Sequence, residues 1–399
     1  MMSRKVLHLD LDAFFCAVEA KRNPDLQGKP FAVGGQPDQR GVVASCSYAA
    51  RQFGIRSAMP MARAIKQCPD LIIVPSHYKA YQDASRQVMD RLHNLTPLVE
   101  QISIDEAFLD VSDLPEPGEV VARNLQATIN NELGLPCSLG VASNKLVAKI
   151  ANNIGKASVK TDKPPNTIKV VPPGQEATFL TPLPVRELWG VGPKTAEQLA
   201  QLGIHTIGDL ARWPETDLGQ RFGKLGHDLA RRASGIDDRP VETEHEAKSI
   251  SQETTFARDI DDGDQLCQCL RQLSEKVGRR LRKKNLSGTR VKIKLRWADF
   301  TTLTRQMTLD HPTNLDSEIH TAAEQLFERT WPPGKRVRLV GVGVSGFEPL
   351  AYQLGLWEAG DAEQDYRLQT TLDELRDRFG DEAIQRGSQL KGENASEEE

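Results

Sequence analysis

The chain has 399 residues, of which 39% are hydrophobic and 27% charged, with 51 Lys and Arg against 55 Asp and Glu. That length predicts roughly two to four domains, and no apolar run approaches the roughly 18 residues of a membrane span or forms a secretory leader, which points to a soluble, cytoplasmic protein. The net charge of -4 conceals an asymmetry: residues 358–399 hold 13 acidic and 5 basic residues, whereas 271–338 hold 16 basic and 7 acidic. A basic block of that size suits a polyanion partner or a solvated surface. Cys16, Cys46, Cys68, Cys137, Cys267 and Cys269 form no CxxC pair, which argues for free thiols and against zinc.

In chain order, VLHLDLD at 6–12 alternates as a strand, with Leu7, Leu9 and Leu11 on one face and His8, Asp10 and Asp12 on the other. Neighbouring carboxylates on one face need a compensating cation, either a metal or a basic partner. Residues 12–75 read as mostly helical and rich in small side chains. There follow a helix over 81–95, the strand pair EQISIDEAFLDV, a helix over 118–133, the strand CSLGVA, the helix SNKLVAKIANNIGK and the strand TIKVV. With 12–75 set aside, the order is βαββαβ, a ferredoxin-like antiparallel sheet covered by helices. From Pro172 to about Arg239 the chain is Leu/Ala-rich with repeated glycines, which predicts a small helical domain, and DRPVETEHEAKS at 238–249 reads as a linker. The strand SISQETTF, a helix over 265–284, RVKIKLRW, TTLTRQMTL, a helix over 316–330 and KRVRLVGVGV repeat the order βαββαβ without repeated sequence. This predicts reuse of one architecture.

Five motifs carry chemistry. In SIDEAFLD, Asp105 and Glu106 are adjacent, so both reach one site only where the strand bends, as at a hairpin. Either acidic cluster alone reads most simply as exposed strand charge; two on one sheet favour a hard-oxygen site of the kind magnesium takes. In VVASCSYAARQFG, Tyr48 and Arg51 share a helical face near an N-terminus, where a triphosphate could sit, unless Arg51 pairs with a neighbouring acid. Lys145, Lys149 and Lys156 form one stripe of a helix whose Leu146, Ile150 and Ala151 face the core, a solvated face or a phosphate contact. WGVGPKTAEQLAQLGIHTIGDL places Gly190 and Gly192 before a helix without the preceding strand that a dinucleotide turn requires. It is similar to a helix-hairpin-helix, whose amides, with Lys194, would grip a DNA phosphate. In RVKIKLRW, Arg290, Lys292, Lys294 and Arg296 line one face, suited to a phosphate backbone, and Val291, Ile293, Leu295 and Trp297 the other.

LDLDAFFCAVE, ASCSYAARQFGIRSAMP, SIDEAFLD, GVASNKLVAKIA and WGVGPKTAEQL, in this order and spacing, make the chain from about residue 4 to 350 resemble the Y-family DNA polymerases of the DNA polymerase IV, DinB-type branch. The resemblance implies an α+β multidomain fold: a ferredoxin-like palm at 1–11 and 76–171, inserted fingers at 12–75, and a helix-hairpin-helix thumb at 172–237. A linker at 238–249, a βαββαβ little finger at 250–350 and an acidic tail at 351–399 complete it. By position it makes Asp10, Asp105 and Glu106, with the Leu11 carbonyl, ligands of two Mg2+ ions. Ser45, Tyr48, Arg51 and Lys156 match positions that hold the triphosphate, and Phe15 the steric gate against a ribose 2'-hydroxyl. Small Ala44, Ser45 and Ser47 imply a roomy pocket for copying damaged bases. The implied partners are primer-template DNA and deoxynucleoside triphosphates, the implied state a monomer without proofreading. After Lys156 the run ASVKTDKPPN replaces a shorter Lys-Pro-x-Gly turn, which leaves Lys160 or Lys163 open to share the phosphate role. QLGLW, through Gln353, Leu354, Leu356 and Trp357, is similar to a peptide that docks on the sliding clamp. The rivals are a non-catalytic DNA- or clamp-binding scaffold of the same fold and a nucleotide cyclase. Intact carboxylates and gate argue against the first, and the helix-hairpin-helix and basic second domain against the second.

Overall fold

A computed structural model describes residues 4–348 other than 160 and 245, together with 359–380 and 384, the backbone alone at 348 and 359–366. The chain forms two compact units, Met1–His245 and Glu246–Glu399.

In the first unit, β1 (Val6–Leu11) buries Leu7, Leu9 and Leu11 on one face and His8 on the other. Ala13, left-handed at φ 46°, then turns the chain within two residues into α1 (Phe14–Arg22). The segment 12–75, expected to be mostly helical, instead contains a three-stranded sheet. Its strands are β2 (Phe31–Gly34), β3 (Val43–Cys46) and, after α2 (Tyr48–Gln52) and α3 (Met61–Gln67), β4 (Ile72–Val74), in the order β3-β2-β4. Strands of three or four residues are too short to show alternation, and the FAVG of β2 is buried at every position, so no period-two signal exists.

The main sheet follows from α4 (Tyr78–Leu95), β5 (Val99–Gln101), β6 (Glu106–Asp110), α5 (Gly118–Thr128), β7 (Cys137–Ala142), α6 (Lys145–Ser158) and β8 (Ile168–Val170). Its order is β5-β6-β1-β7-β8, the predicted ferredoxin-like arrangement with β1 in the centre and β8 added at the edge. Helix α4 buries Tyr81, Ser85, Val88 and Leu92 at helical spacing, and with α5 it covers the leucine face of β1. Helix α6 covers the other face. There Gly140 of β7 lies opposite His8, and a Cβ at 140 would stand 1.9 Å from the Ala148 carbonyl oxygen of α6. Only glycine lets the helix lie this close to the sheet.

Five helices follow: α7 (Glu176–Leu180), α8 (Pro193–Gln201), α9 (Ile207–Ala211), α10 (Glu215–Phe222) and α11 (Lys224–Ala233). Leu180, Leu199, Leu210 and Leu229 share one core with Leu146 and Ile150 of α6. The chain leaving α11 is tied to α6 as well: Asp237 accepts from the Leu146 amide at 3.0 Å, and Glu100 accepts from Lys145 Nζ at 2.7 Å and the Glu242 amide at 2.8 Å. The opening of the predicted linker is therefore anchored to the first unit.

The second unit contains β9 (Ser249–Ile260), α12 (Gly263–Lys283), β10 (Ser287–Trp297), β11 (Thr302–Thr313), α13 (Asp316–Glu328), β12 (Val337–Glu348) and α14 (Ala359–Phe379). The order βαββαβ recurs, but the sheet runs β11-β10-β12-β9, so its first strand is an edge where β1 is central. The expectation of a reused architecture is corrected: the units share a succession of elements and not a pairing, because alternation marks a strand without naming its neighbour. Among the described residues no helix is long and apolar enough to cross a membrane, and the six cysteines are free thiols.

Gly140→Ala is expected to lower stability by about 3 kcal/mol or more, because the new methyl meets backbone that cannot yield, measured as the urea midpoint against wild type.

Candidate active site

The acidic site is assembled by strand register. Asp10 is the cross-strand partner of Glu106, and the Leu11 amide donates to the Asp105 carbonyl at 3.0 Å. β5 and β6 form a hairpin whose turn ends at Asp105, so this residue is off the regular strand and its side chain need not oppose that of Glu106. Ser103, which the sequence did not single out, organises the turn: its hydroxyl accepts from the Asp105 amide at 3.3 Å and the Glu106 amide at 3.1 Å, and donates to the Asp105 carboxylate at 2.5 Å.

The lysine stripe meets these carboxylates one by one. Lys149 Nζ bonds Glu106, and Lys156 Nζ lies 2.6 Å from Asp10 and 3.0 Å from Asp12. Lys145 does not belong to the site, since its ammonium is buried on Glu100. Asp12 is fully buried and also accepts from Ser138 Oγ at 2.8 Å and the Asn166 amide at 2.9 Å, so it braces the site from beneath. His8 is held by Asn152 Nδ2 at 2.9 Å.

Burial raises Asp10 to about 6, against the pull of Lys156, with Glu106 and Asp105 adding repulsion. Burial works in the same direction on Glu106, but hydrogen bonds from His8 and Lys149 hold it at about 2. Burial lowers His8 to about 4, so the imidazole is neutral at pH 7 and the charge that compensates Glu106 is the Lys149 ammonium. Burial also opposes the charge on Lys156, yet Asp10 and Asp12 more than offset it and keep the amine protonated.

Among the described residues no three His, Cys, Asp or Glu side chains converge closely enough to hold a metal ion as they stand. The donor set nonetheless fits a hard divalent cation. Asp10, Asp12, Asp105 and Glu106 supply four carboxylates against the two ammonium groups of Lys149 and Lys156, and those ammoniums sit on Asp10 and Glu106 as stand-in cations.

Beside this cluster is a group of donors without acceptors. The Tyr48 hydroxyl and Arg51 Nε are buried and have no hydrogen-bond partner among the described residues, and the Arg51 guanidinium lies 4.3 Å from the Tyr48 ring centroid. Such orphaned donors mark a place for an anion. The dipole of α2 contributes little, since the helix spans five residues and the Ser47 hydroxyl already accepts its Ala50 amide. Ser45 is buried in β3 with its hydroxyl on the Cys16 thiol, and Ala44 is the exposed residue of that strand. Lys163, Asp12, Ser47 and Tyr48 line a common cavity of about 550 Å³. Phe15 stacks on Tyr81 with ring centroids 4.2 Å apart, and the Tyr81 hydroxyl donates to Glu19 at 2.6 Å. Neither Tyr81 nor Glu19 was singled out from sequence; the pairing spans 62 positions.

Three family models match the chain: the impB/mucB/samB family over residues 9–153, the IMS family HHH motif over 173–204, and the impB/mucB/samB family C-terminal domain over 247–356. DNA polymerase IV of Desulfatibacillum aliphaticivorans is 42% identical over 391 residues, 96% of each chain. The chain belongs to the Y-family DNA polymerases. DNA polymerase IV of Dehalococcoides mccartyi is 40% identical over 98% of this chain and 99% of its own. Among solved structures, a chimeric Y-family DNA polymerase matches 86% of this chain and 99% of its own with a TM-score of 0.77 at 27% identity. DinB from Sulfolobus solfataricus matches with a TM-score of 0.58 at the same identity.

The remaining residues singled out from the sequence of this Y-family polymerase lie apart from the carboxylates in the chain. Gly190 is left-handed at φ 102°, and Arg232 donates to the adjacent Trp189 carbonyl at 3.1 Å. Gly192 precedes α8 in an ordinary conformation with open space where a Cβ would stand, and Lys194 is exposed. In the second unit β10 alternates as predicted, burying Val291, Ile293, Leu295 and Trp297 and turning Arg290, Lys292, Lys294 and Arg296 to the open face. There Lys294 pairs with Glu253 at 2.8 Å and Arg296 donates to Thr302 at 2.8 Å. Lys160 and the clamp-like residues Gln353, Leu354, Leu356 and Trp357 lie outside the described residues.

Tyr48→Phe is expected to leave thermal stability unchanged or slightly higher, because it removes an unpartnered buried hydroxyl, while weakening nucleotide affinity about tenfold or more. Differential scanning calorimetry beside nucleotide-dependent kinetics separates the two effects.

Proposed function

We propose that this DNA-directed DNA polymerase extends a primer 3'-hydroxyl with deoxynucleotides at the site built by Asp10, Asp105 and Glu106. The observation that carries the reading is the juxtaposition of a carboxylate cluster needing cations with orphaned donors needing an anion. Two divalent cations, most simply Mg2+, would be held by the three carboxylates and the Leu11 carbonyl, and supply activation of the primer hydroxyl and neutralisation of phosphate charge. Tyr48, Arg51 and Lys156, with Ser45, bind the triphosphate; Lys163 shares that role from the rim of the adjoining cavity. Lys156 suits this role because its ammonium, on Asp10 and Asp12, also lies within electrostatic reach of Tyr48.

The aromatic face of Phe15, fixed by its stack on Tyr81, excludes a ribose 2'-hydroxyl. The small residues Ala44 and Ser47 leave room for a distorted template base, which supports error-prone copying past lesions, and the recognised domains include no exonuclease for proofreading. Gly190, Gly192 and Lys194 hold duplex backbone on the thumb, and Arg290, Lys292, Lys294 and Arg296 do so on the little finger. The QLGLW segment docks on a sliding clamp, and the enzyme works as a cytoplasmic monomer.

Primer extension tests the assignment. Asp105→Ala and Glu106→Ala are each expected to lower kcat by about a thousandfold, a loss of roughly 4 kcal/mol of charge stabilisation; full activity in either would sink the site. Phe15→Ala is expected to raise ribonucleotide incorporation by one to two orders of magnitude at nearly unchanged deoxynucleotide use, roughly the cost of a steric clash. Unchanged sugar discrimination would remove Phe15 from the gate.

A further inference from the structure

The basic block read from the sequence is divided by the fold between two opposite faces of the second unit. The open sheet face carries Arg290, Lys292, Lys294 and Arg296, whereas α12, packed on the other side of the sheet, carries Arg279, Arg282 and Lys283. The acidic helix α14 lies on this second face. Asp377 bonds both Arg279 and Lys283, Asp373 bonds Arg282 Nε at 2.7 Å, and Arg376 faces Glu275 at 3.7 Å.

The way α14 docks is unusual. Among its described side chains the fully buried ones are polar, Gln369 and Asp373; Leu372 and Leu375 are half-buried, and Leu368 and Phe379 are 54% and 62% exposed. A helix whose most buried side chains are polar is held more by charge complementarity than by apolar burial. Its carboxylates at 373 and 377, one turn apart, meet cations at 279, 282 and 283, also one turn apart. The spacing matches a row of anions, which is also what a nucleic-acid backbone presents.

We propose that α14 is a built-in polyanion that occupies a second nucleic-acid-binding face on α12 and keeps it closed to DNA phosphates while the helix is docked. Arg282 is anchored independently, by Asp316 at 2.8 Å and the Asn314 carbonyl at 2.6 Å. Arg279 and Lys283 are the cations that Asp377 itself meets. Hydrogen bonds from Lys283 and Arg279 hold the Asp377 carboxyl below its usual range, so the contact is made by the ionised acid at neutral pH. The acidic tail thereby confines backbone binding to the sheet face.

Asp377→Asn tests this in the full chain, since a half-exposed side chain can lose its charge without endangering the fold. Fluorescence anisotropy with a labelled primer-template duplex is measured across a salt series. The expected result is tighter binding at low salt and a log-log salt slope steeper by about one to two, one unit for each additional phosphate neutralised. Adding Arg279→Gln and Lys283→Gln to Asp377→Asn is expected to return both values to wild type. An unchanged slope in Asp377→Asn overturns the proposal, and so does tighter binding that survives loss of the two cations, which would reflect net charge alone. Lys292→Gln with Lys294→Gln separately reads the sheet face, so failure of that reading is distinguishable.

Discussion

Helix α6 lies against the one face of β1 that carries charge, at a distance set by the missing side chain of Gly140. From there Lys149, Asn152 and Lys156 reach Glu106, His8, and Asp10 with Asp12, respectively. Burying carboxylates costs several kcal/mol per ion unless each is paired and hydrogen-bonded. The site meets that requirement in part, with two ammonium groups and with neutral donors from Ser138 and the Asn166 amide. The same helix shares its apolar face with α7 to α11 and is tied by Asp237 and Glu100 to the chain leaving them. One element thus positions the acidic site and anchors the helical domain beside it.

Around this centre the electrostatics are arranged as two complementary deficits. The carboxylates exceed their ammonium partners, while Tyr48 and Arg51 hold donors that no described residue satisfies. On the proposed reading, a nucleoside triphosphate with its associated cations resolves both at once. The aromatic pair of Phe15 and Tyr81, fixed through Glu19, adds a rigid wall to an otherwise small-residue surface.

In the second unit charge is distributed by layer. Alternation along β10 sends one set of cations to the open face of the sheet, and helical spacing along α12 sends another to the opposite side, where α14 meets them. The small net charge of the chain is the sum of these unlike regions, a basic block and an acidic tail.

Much was legible in the chain itself because the signals are local. The alternation of VLHLDLD and RVKIKLRW, the helical spacing of α4 and α6, and the glycines before α8 each specify an element within a few turns of sequence. The two acidic clusters and the hairpin at the adjacent acids were readable locally, but the grouping of Asp10 with Asp105 and Glu106 came from the resemblance to the family and is made in space by the pairing of β1 with β6. What the sequence could not show depends on partners far along the chain. The three-stranded sheet within 12–75 has strands too short to alternate, and the different pairing of the two βαββαβ units is a choice among strands that alternation does not name. Lys145 belongs to the same stripe as Lys149 and Lys156, yet only the packed sheet decides that it serves Glu100 and not the site. Local periodicity determined which face of each element is apolar; tertiary packing decided which charge each polar face would meet, because an ion pair is specified by distance in space and carries no mark in sequence.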